Sequence, residues 1–248
     1  VAAYDFYNAY LSITSTPKQS FRDEFQANVN SSFEIASDYY VIQKLNRTTQ
    51  ELEDIGVRLT FPYSLKESST LKDDFRKIIF KDSTSEPKMG DLYTFNNYYY
   101  LCIDTGTYES VTNSCIVQRC SAVLKFTEAT PTTEDVISIY AVTSKFTFDS
   151  LKQNQFIILP DNELSLLIPN DENGRKIIYD SGGGTRFLLG NPLRNWRTVS
   201  IDTISHVRPT VETTPDDSNG LIGIKLELSE INTAYDDLVN GVAWQDYW

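Results

Sequence analysis

The stretch Gly90–Phe126, GDLYTFNNYYYLCIDTGTYESVTNSCIVQRCSAVLKF, constrains the fold more than any other part of the chain. Tyr93, Phe95, Tyr98, Tyr99, Tyr100, Leu101, Cys102 and Ile103 are mostly the aromatic and apolar types that fill a pleated, half-buried surface. Asn96-Asn97 between them can take the positive φ angles of a tight hairpin turn. A second strand is expected from Cys115 to Phe126. The whole reads as a small antiparallel barrel or curled sheet, and none of its residues has an evident catalytic role.

The flanks extend this reading. Over residues 1–50 the pattern is helical: Tyr4, Phe6, Tyr7, Tyr10 and Leu11 make one apolar stripe. Thr16, Pro17 and Gln19 then form a helix start, followed by Phe21, Phe25, Val29 and Phe33 at four-residue steps. Residues 54–63 read as a strand and 65–81 as a linking helix with a possible strand at its end. Ala129-Thr130-Pro131-Thr132-Thr133 is polar and broken by proline, which marks a boundary between two β units. Beyond it short strands alternate with turn residues, at 136–142, 145–148, 155–159, 164–168, 176–179, 186–189, 196–201, 207–213 and 221–228, the spacing of a sandwich or barrel. The expected architecture is therefore mainly β with an N-terminal helical segment (α+β). It comprises a helical arm over 1–50, a small barrel-like unit with a linking helix over 51–128, a second barrel or sandwich over 132–230, and an acidic aromatic tail over 231–248.

The net charge of −12 disfavours binding to the outside of nucleic acid, where affinity comes from Lys and Arg displacing phosphate counterions. It is compatible with DNA passing by, because an acidic wall does not trap it. No apolar run approaches the roughly 18 residues of a membrane span. The residues given open with no signal-peptide pattern, and Cys102, Cys115 and Cys120 make an odd count without framework spacing. The expectation is reduced, packed thiols in a cytoplasm-like compartment, with no metal or redox role.

Candidate chemistry is sparse. Gly182-Gly183-Gly184-Thr185 lacks the lysine of a phosphate loop and runs into a strand pattern, so it reads as a hairpin tip. The acidic pairs Asp73-Asp74, Asp171-Glu172, Asp216-Asp217 and Asp236-Asp237 lack the spacing of a calcium loop and read as solvated turns and a helix start. The lone histidine, His206, has no nucleophile marked out beside it, and nothing selects a glycosidase-type pair from the 34 acids. No catalytic residue, metal or cofactor is expected. Arg186, Arg194, Arg197 and Arg208, with Trp196 among them, are read as pairing with the acidic surface of a neighbouring subunit. Partner binding is assigned to the N-terminal stripe Tyr4, Phe6, Tyr7 and Tyr10 and to the tail residues Tyr235, Asp236, Asp237, Trp244, Tyr247 and Trp248, since Trp and Tyr are favoured interface anchors. The competing reading of the tail is that it folds back on its own domain.

Two stretches together resemble structural proteins of tailed bacteriophages of Gram-positive hosts. The first is GDLYTFNNYYYLCIDTG with SCIVQRCSAVLKF, and the second is NGLIGIKLELSEIN followed by YDDLVNGVAW. Those proteins sit at the head–tail junction as head-closure, connector-associated or collar components. The resemblance implies a non-enzymatic subunit of a homo-oligomeric ring, six- or twelve-membered. Such a ring extends or seals the portal channel and contacts the portal, neighbouring tail or collar proteins and, passively, the phage DNA. It implies a place in the virion after assembly in the host cytoplasm, and no membrane partner. Two rival classes remain open on the residues alone. One is a β-sandwich binding module that recognises glycans or a host surface through Tyr98–Tyr100, Tyr108 and Trp196; the other is a carboxylate hydrolase.

Overall fold

The computed structural model describes residues 24, 27–29, 31–47, 49–62, 74–81, 86–108, 112–127, 136–143, 162–179, 184–204 and 220–245. Six strands form a closed antiparallel barrel: β1 (Tyr39–Leu45), β2 (Leu52–Thr60), β3 (Phe75–Phe80), β4 (Leu92–Phe95), β5 (Tyr98–Tyr108) and β6 (Thr112–Arg119). Their order around it is β1-β2-β3-β6-β5-β4, and β4 returns to β1 through Gln43↔Thr94 and Lys44↔Tyr93. Six more strands build a second, curled antiparallel sheet: β7 (Ala122–Phe126), β8 (Ile137–Thr143), β9 (Glu163–Pro169), β10 (Arg186–Leu189), β11 (Arg194–Asp202) and β12 (Leu221–Ser229). Its order is β10-β11-β12-β9-β8-β7. The single described helix bounded by strands is α1 (Glu172–Tyr179).

Strand periodicity distributes the apolar residues over three cores. Successive side chains of a strand point to opposite faces. On β5, Tyr100 and Cys102 enter the barrel core with Ile42, Val57, Ile78, Tyr93, Cys115 and Val117. Their neighbours Leu101 and Ile103 face the other way, into a cluster with Met89, Leu92, Val142 and Leu221. On β8 and β9 the same alternation sends Ile139, Ala141, Leu166 and Ile168 into the second sheet's core, while Tyr140, Val142 and Leu167 join the cluster with Leu101. That shared cluster welds the two units. Tyr99 stacks on Tyr140 across it, with ring centroids 3.9 Å apart.

Among the described residues the chain passes between the units once, in two residues. The Cys120 amide donates to the Tyr99 carbonyl of the barrel at 2.8 Å, and the Ser121 amide donates to the Ala141 carbonyl of the second sheet at 3.0 Å. The single strand expected over 115–126 is thus two strands in different sheets. The passage falls ahead of the polar stretch 129–133, which lies outside the described residues apart from its neighbours at 126–127 and 136. A backbone approach elsewhere at the junction requires glycine. Gly90 has φ +85°, and a Cβ there would stand 2.8 Å from the Gly220 carbonyl oxygen.

Several expectations are met and others are corrected. Asn96 and Asn97 take φ of 51° and 64°, the left-handed pair of a two-residue hairpin turn between β4 and β5. The strand expected at 186–189 is β10 to the residue. Of the helical arm expected over 1–50, residues 1–23 lie outside the described residues, helical turns appear at 27–29 and 31–32, and 39–45 is strand β1. Ladder pairing with β2 along all seven residues of β1 overrides the local pattern there. Residues 176–179 were expected as strand and are the end of α1. Asp171 caps this helix, its Oδ1 accepting the Gly174 amide at 2.7 Å, and Ile177 buries its inner face in the second core. Gly174, which reads as a turn residue, is in the helix because a Cβ there would collide with the Pro169 carbonyl. The strands expected at 145–148, 155–159 and 207–213, and His206, lie outside the described residues.

Candidate interaction surface

Two polar centres organise the surface, one per unit. In the barrel, the Asp91 carboxylate is 2% exposed and holds Lys44 Nζ at 2.9 Å and Arg47 Nε at 3.0 Å. It also accepts the Lys88 amide at 2.9 Å, while Arg47 Nη2 donates to the Met89 carbonyl. Charge pairing and hydrogen bonds together satisfy a carboxylate that burial alone would make costly. Beside it the Tyr93 hydroxyl is pushed up by burial and by the neighbouring Cys115 and Asp91. The Cys102 thiol is pushed up by its hydrogen bond with Cys115 and by burial, and burial pushes Cys120 up to about 12. Thiols held this far from ionisation are packing groups and poor nucleophiles.

In the second unit, Arg186 and the tail form one locked assembly. Arg186 stands on β10 and is buried. Its guanidinium donates to Asp236 Oδ2 at 3.0 Å, to the Trp244 carbonyl at 2.8 Å and to the Glu230 carbonyl at 3.2 Å. The Arg186 main chain exchanges two 2.9 Å bonds with the Gln245 side-chain amide, in the manner of one more ladder rung. Asp236 also accepts the amides of Asn232 and Trp244, at 2.8 and 2.9 Å. Val242 and Ala243 are buried beneath. Arg186 is therefore an internal tie of its own subunit, a role that its spacing to Arg194 and Arg197 does not reveal. Arg194 and Arg197 are exposed on β11, and Arg208 lies outside the described residues.

The lock presents a turn. Asp237 and Val242 pair through both backbone bonds, at 2.9 and 3.0 Å, and Gly241 at φ +69° reverses the chain. The Asp237 carboxylate accepts the Val239 and Asn240 amides at 3.0 Å and the Asn240 side chain at 2.6 Å, bonds that hold it below the usual carboxylate range. At the tip of this rigid turn Val239 is 94% exposed, flanked by Leu238 and by Tyr235, whose ring lies 5.1 Å from that of Trp244. Of the tail residues expected to bind a partner, Tyr235 and Asp237 are at the surface, and Asp236 and the Trp244 main chain hold the lock. Tyr247 and Trp248, like Tyr4, Phe6, Tyr7 and Tyr10, lie outside the described residues.

A second surface lies on the barrel. The Arg76 guanidinium sits 4.5 Å over the ring of Phe61, and that of Arg119 sits 5.2 Å over Tyr98. Both rings are more than half exposed. Between them the Tyr100 hydroxyl is pushed up by burial against the pull of Arg76 and Arg119, with Asp74 and Tyr98 also close enough to act on it. Arg119 and Asp74 are ion-paired at 2.5 Å. These residues are separated by up to 58 positions and meet through the β3-β6-β5 ladders, so no sequence pattern marks them.

Of the aromatics considered for sugar stacking, Tyr98 is exposed, whereas Tyr99 stacks on Tyr140, Tyr100 is buried against Phe95 and Trp196 packs on the second core. A cleft of about 410 Å³ lined by Tyr39, Ile55 and Phe80 carries two carboxylates, Glu34 and Glu86. Both are exposed, and Glu34 is paired with Lys81 at 2.8 Å. Among the described residues no group of three His, Cys, Asp or Glu could hold a metal ion, and no helix is long and apolar enough to cross a membrane. The chain matches no protein-family model, no curated protein and no solved structure.

Proposed function

We propose that the chain is a structural subunit of a tailed-bacteriophage virion. Copies of it form a ring of six or twelve at the head–tail junction that extends or seals the portal channel. The observation that carries this reading is the tail turn: a rigid loop, locked by Arg186 and Asp236, that holds Val239 and Leu238 out in water. An apolar tip that is ordered before binding loses little entropy on docking, which suits a protein that works by assembly. The segments that resemble junction proteins also fall on the parts that make the body rigid. GDLYTFNNYYYLCIDTG spans the Asp91 centre and the β4–β5 hairpin, SCIVQRCSAVLKF spans the passage between units, and YDDLVNGVAW is the turn itself. Work in this role is mechanical: the subunit offers faces to two neighbours and to the rings above and below, and DNA slides past an acidic wall without being bound.

Electron microscopy and mass photometry of the purified chain, alone and with its portal-side partner, test the reading. Rings are expected in at least one condition, and a strict monomer in both overturns it.

A further inference from the structure

The tail turn and the arginine–aromatic face are complementary in kind. The turn is apolar at its tip and carries the exposed Asp237 carboxylate. The face offers two half-exposed rings, Phe61 and Tyr98, under two guanidiniums, that of Arg119 being paired with Asp74. Arg and Tyr are the residue types that most often anchor interfaces. The turn belongs to the second unit and the face to the barrel. Val239 is 94% exposed, so it is not seated on the described residues of its own subunit. Its amide and that of Asn240 are already satisfied by Asp237, so the tip can leave water without stranding a donor.

We infer that the tail turn of one copy seats on the Phe61–Arg76–Tyr98–Arg119 face of the next copy, Leu238 and Val239 against the rings and Asp237 toward the guanidiniums. This inference rests on the ring reading and names the contact that closes the ring. The contact joins two different surfaces, so it propagates from copy to copy until it closes or runs on as a filament. The two arginines, not the Arg186–Arg208 group, then provide the cationic side of the subunit interface.

The test is a full-length Val239→Cys/Tyr98→Cys double variant under mild oxidation. The native thiols do not compete, because Cys102 and Cys115 are buried and Cys120 is pushed up to about 12. A ladder of disulfide-linked oligomers is expected, with each single variant stopping at dimers. Adding Arg76→Glu is expected to reduce the ladder roughly tenfold or more, as loss of an interface anchor does. No ladder, or one indifferent to Arg76→Glu, overturns the contact. Arg76-dependent binding of a single-stranded oligonucleotide without a ladder assigns the face to nucleic acid and also overturns it. Rings seen by microscopy without a ladder remove this contact and leave the ring. A ladder that yields only open chains keeps the contact and removes the ring.

Discussion

The two units of this molecule each have six antiparallel strands, yet they close in different ways. The barrel closes through its backbone, β4 pairing with β1, so no edge is left to protect. In the second sheet, among the described residues, no backbone ladder joins the outer strands β7 and β10. They meet through side chains, Phe126 edge-on to Phe187 with centroids 6.1 Å apart, and the tail is laid on β10 through Gln245. The barrel spends its buried charge at Asp91 on fastening β1 to the β4 entry; the second unit spends its own at Arg186–Asp236 on fastening the tail. A sheet closed by hydrogen bonds holds itself together, whereas a sheet closed by a strap depends on the strap.

The sharpest way to break this contrast is Arg186→Met. It leaves the Asp236 carboxylate buried with no cation, which costs about 3–5 kcal/mol. Urea unfolding followed by hydrogen exchange is expected to show the second unit and the amides of 236–245 opening first, with the barrel's β5 and β6 still protected. Equal loss of protection in both units would mean that the closure difference does not govern stability. Leu101→Ala probes the weld between the units. Removing this fully buried side chain from the shared cluster costs about 2–5 kcal/mol, and a single unfolding transition is expected to split into two.

Gly90→Ala acts on the same weld through the backbone. The new Cβ meets the Gly220 carbonyl at a residue with φ +85°, and a loss of roughly 1–3 kcal/mol is expected in chemical denaturation. The smallest effects are pH effects, and they have opposite signs in the two units. The Arg58 side chain hydrogen-bonds Asp38 and holds its carboxyl below the usual range. Its stabilisation is present above the unfolded-state value and is lost as pH falls through the lower folded one. The pair is partly exposed, so the loss is roughly 0.2–1 kcal/mol. Burial pushes Asp171 up instead. Its ionisation as pH rises through the folded value opposes folding, and Asp171→Asn is expected to remove that slope while keeping the helix cap. Urea midpoints of the unsubstituted chain, Asp38→Asn and Asp171→Asn between about pH 3 and pH 6 check the two signs.

What the sequence revealed follows the range of the forces involved. The β4–β5 hairpin was legible because Asn96-Asn97 and the flanking aromatics act locally, and β10 and β12 because strand length and turn residues bound them. The passage at Cys120-Ser121 was not, since neither a glycine nor a proline marks it and only the partners, Tyr99 and Ala141, separate the two strands. Helix α1 was hidden because Asn173-Gly174 resembles a hairpin turn and the contact that demands glycine comes from Pro169. Of the candidate site, the tail was singled out by its aromatics, but its internal partner was not: whether Arg186 is a surface cation or a buried tie depends on Asp236, 50 residues away. The Arg76–Arg119 face had no signal to find.

The two-residue passage between the sheets has a geometrical consequence. The shared cluster and the Tyr99–Tyr140 stack lie on either side of it, so changing the angle between barrel and second sheet would mean breaking packed contacts. Where copies join second unit to barrel, that angle is the bend added at every step. On the ring proposal, the number of copies needed to complete a circle would be set inside each subunit, before any two of them meet.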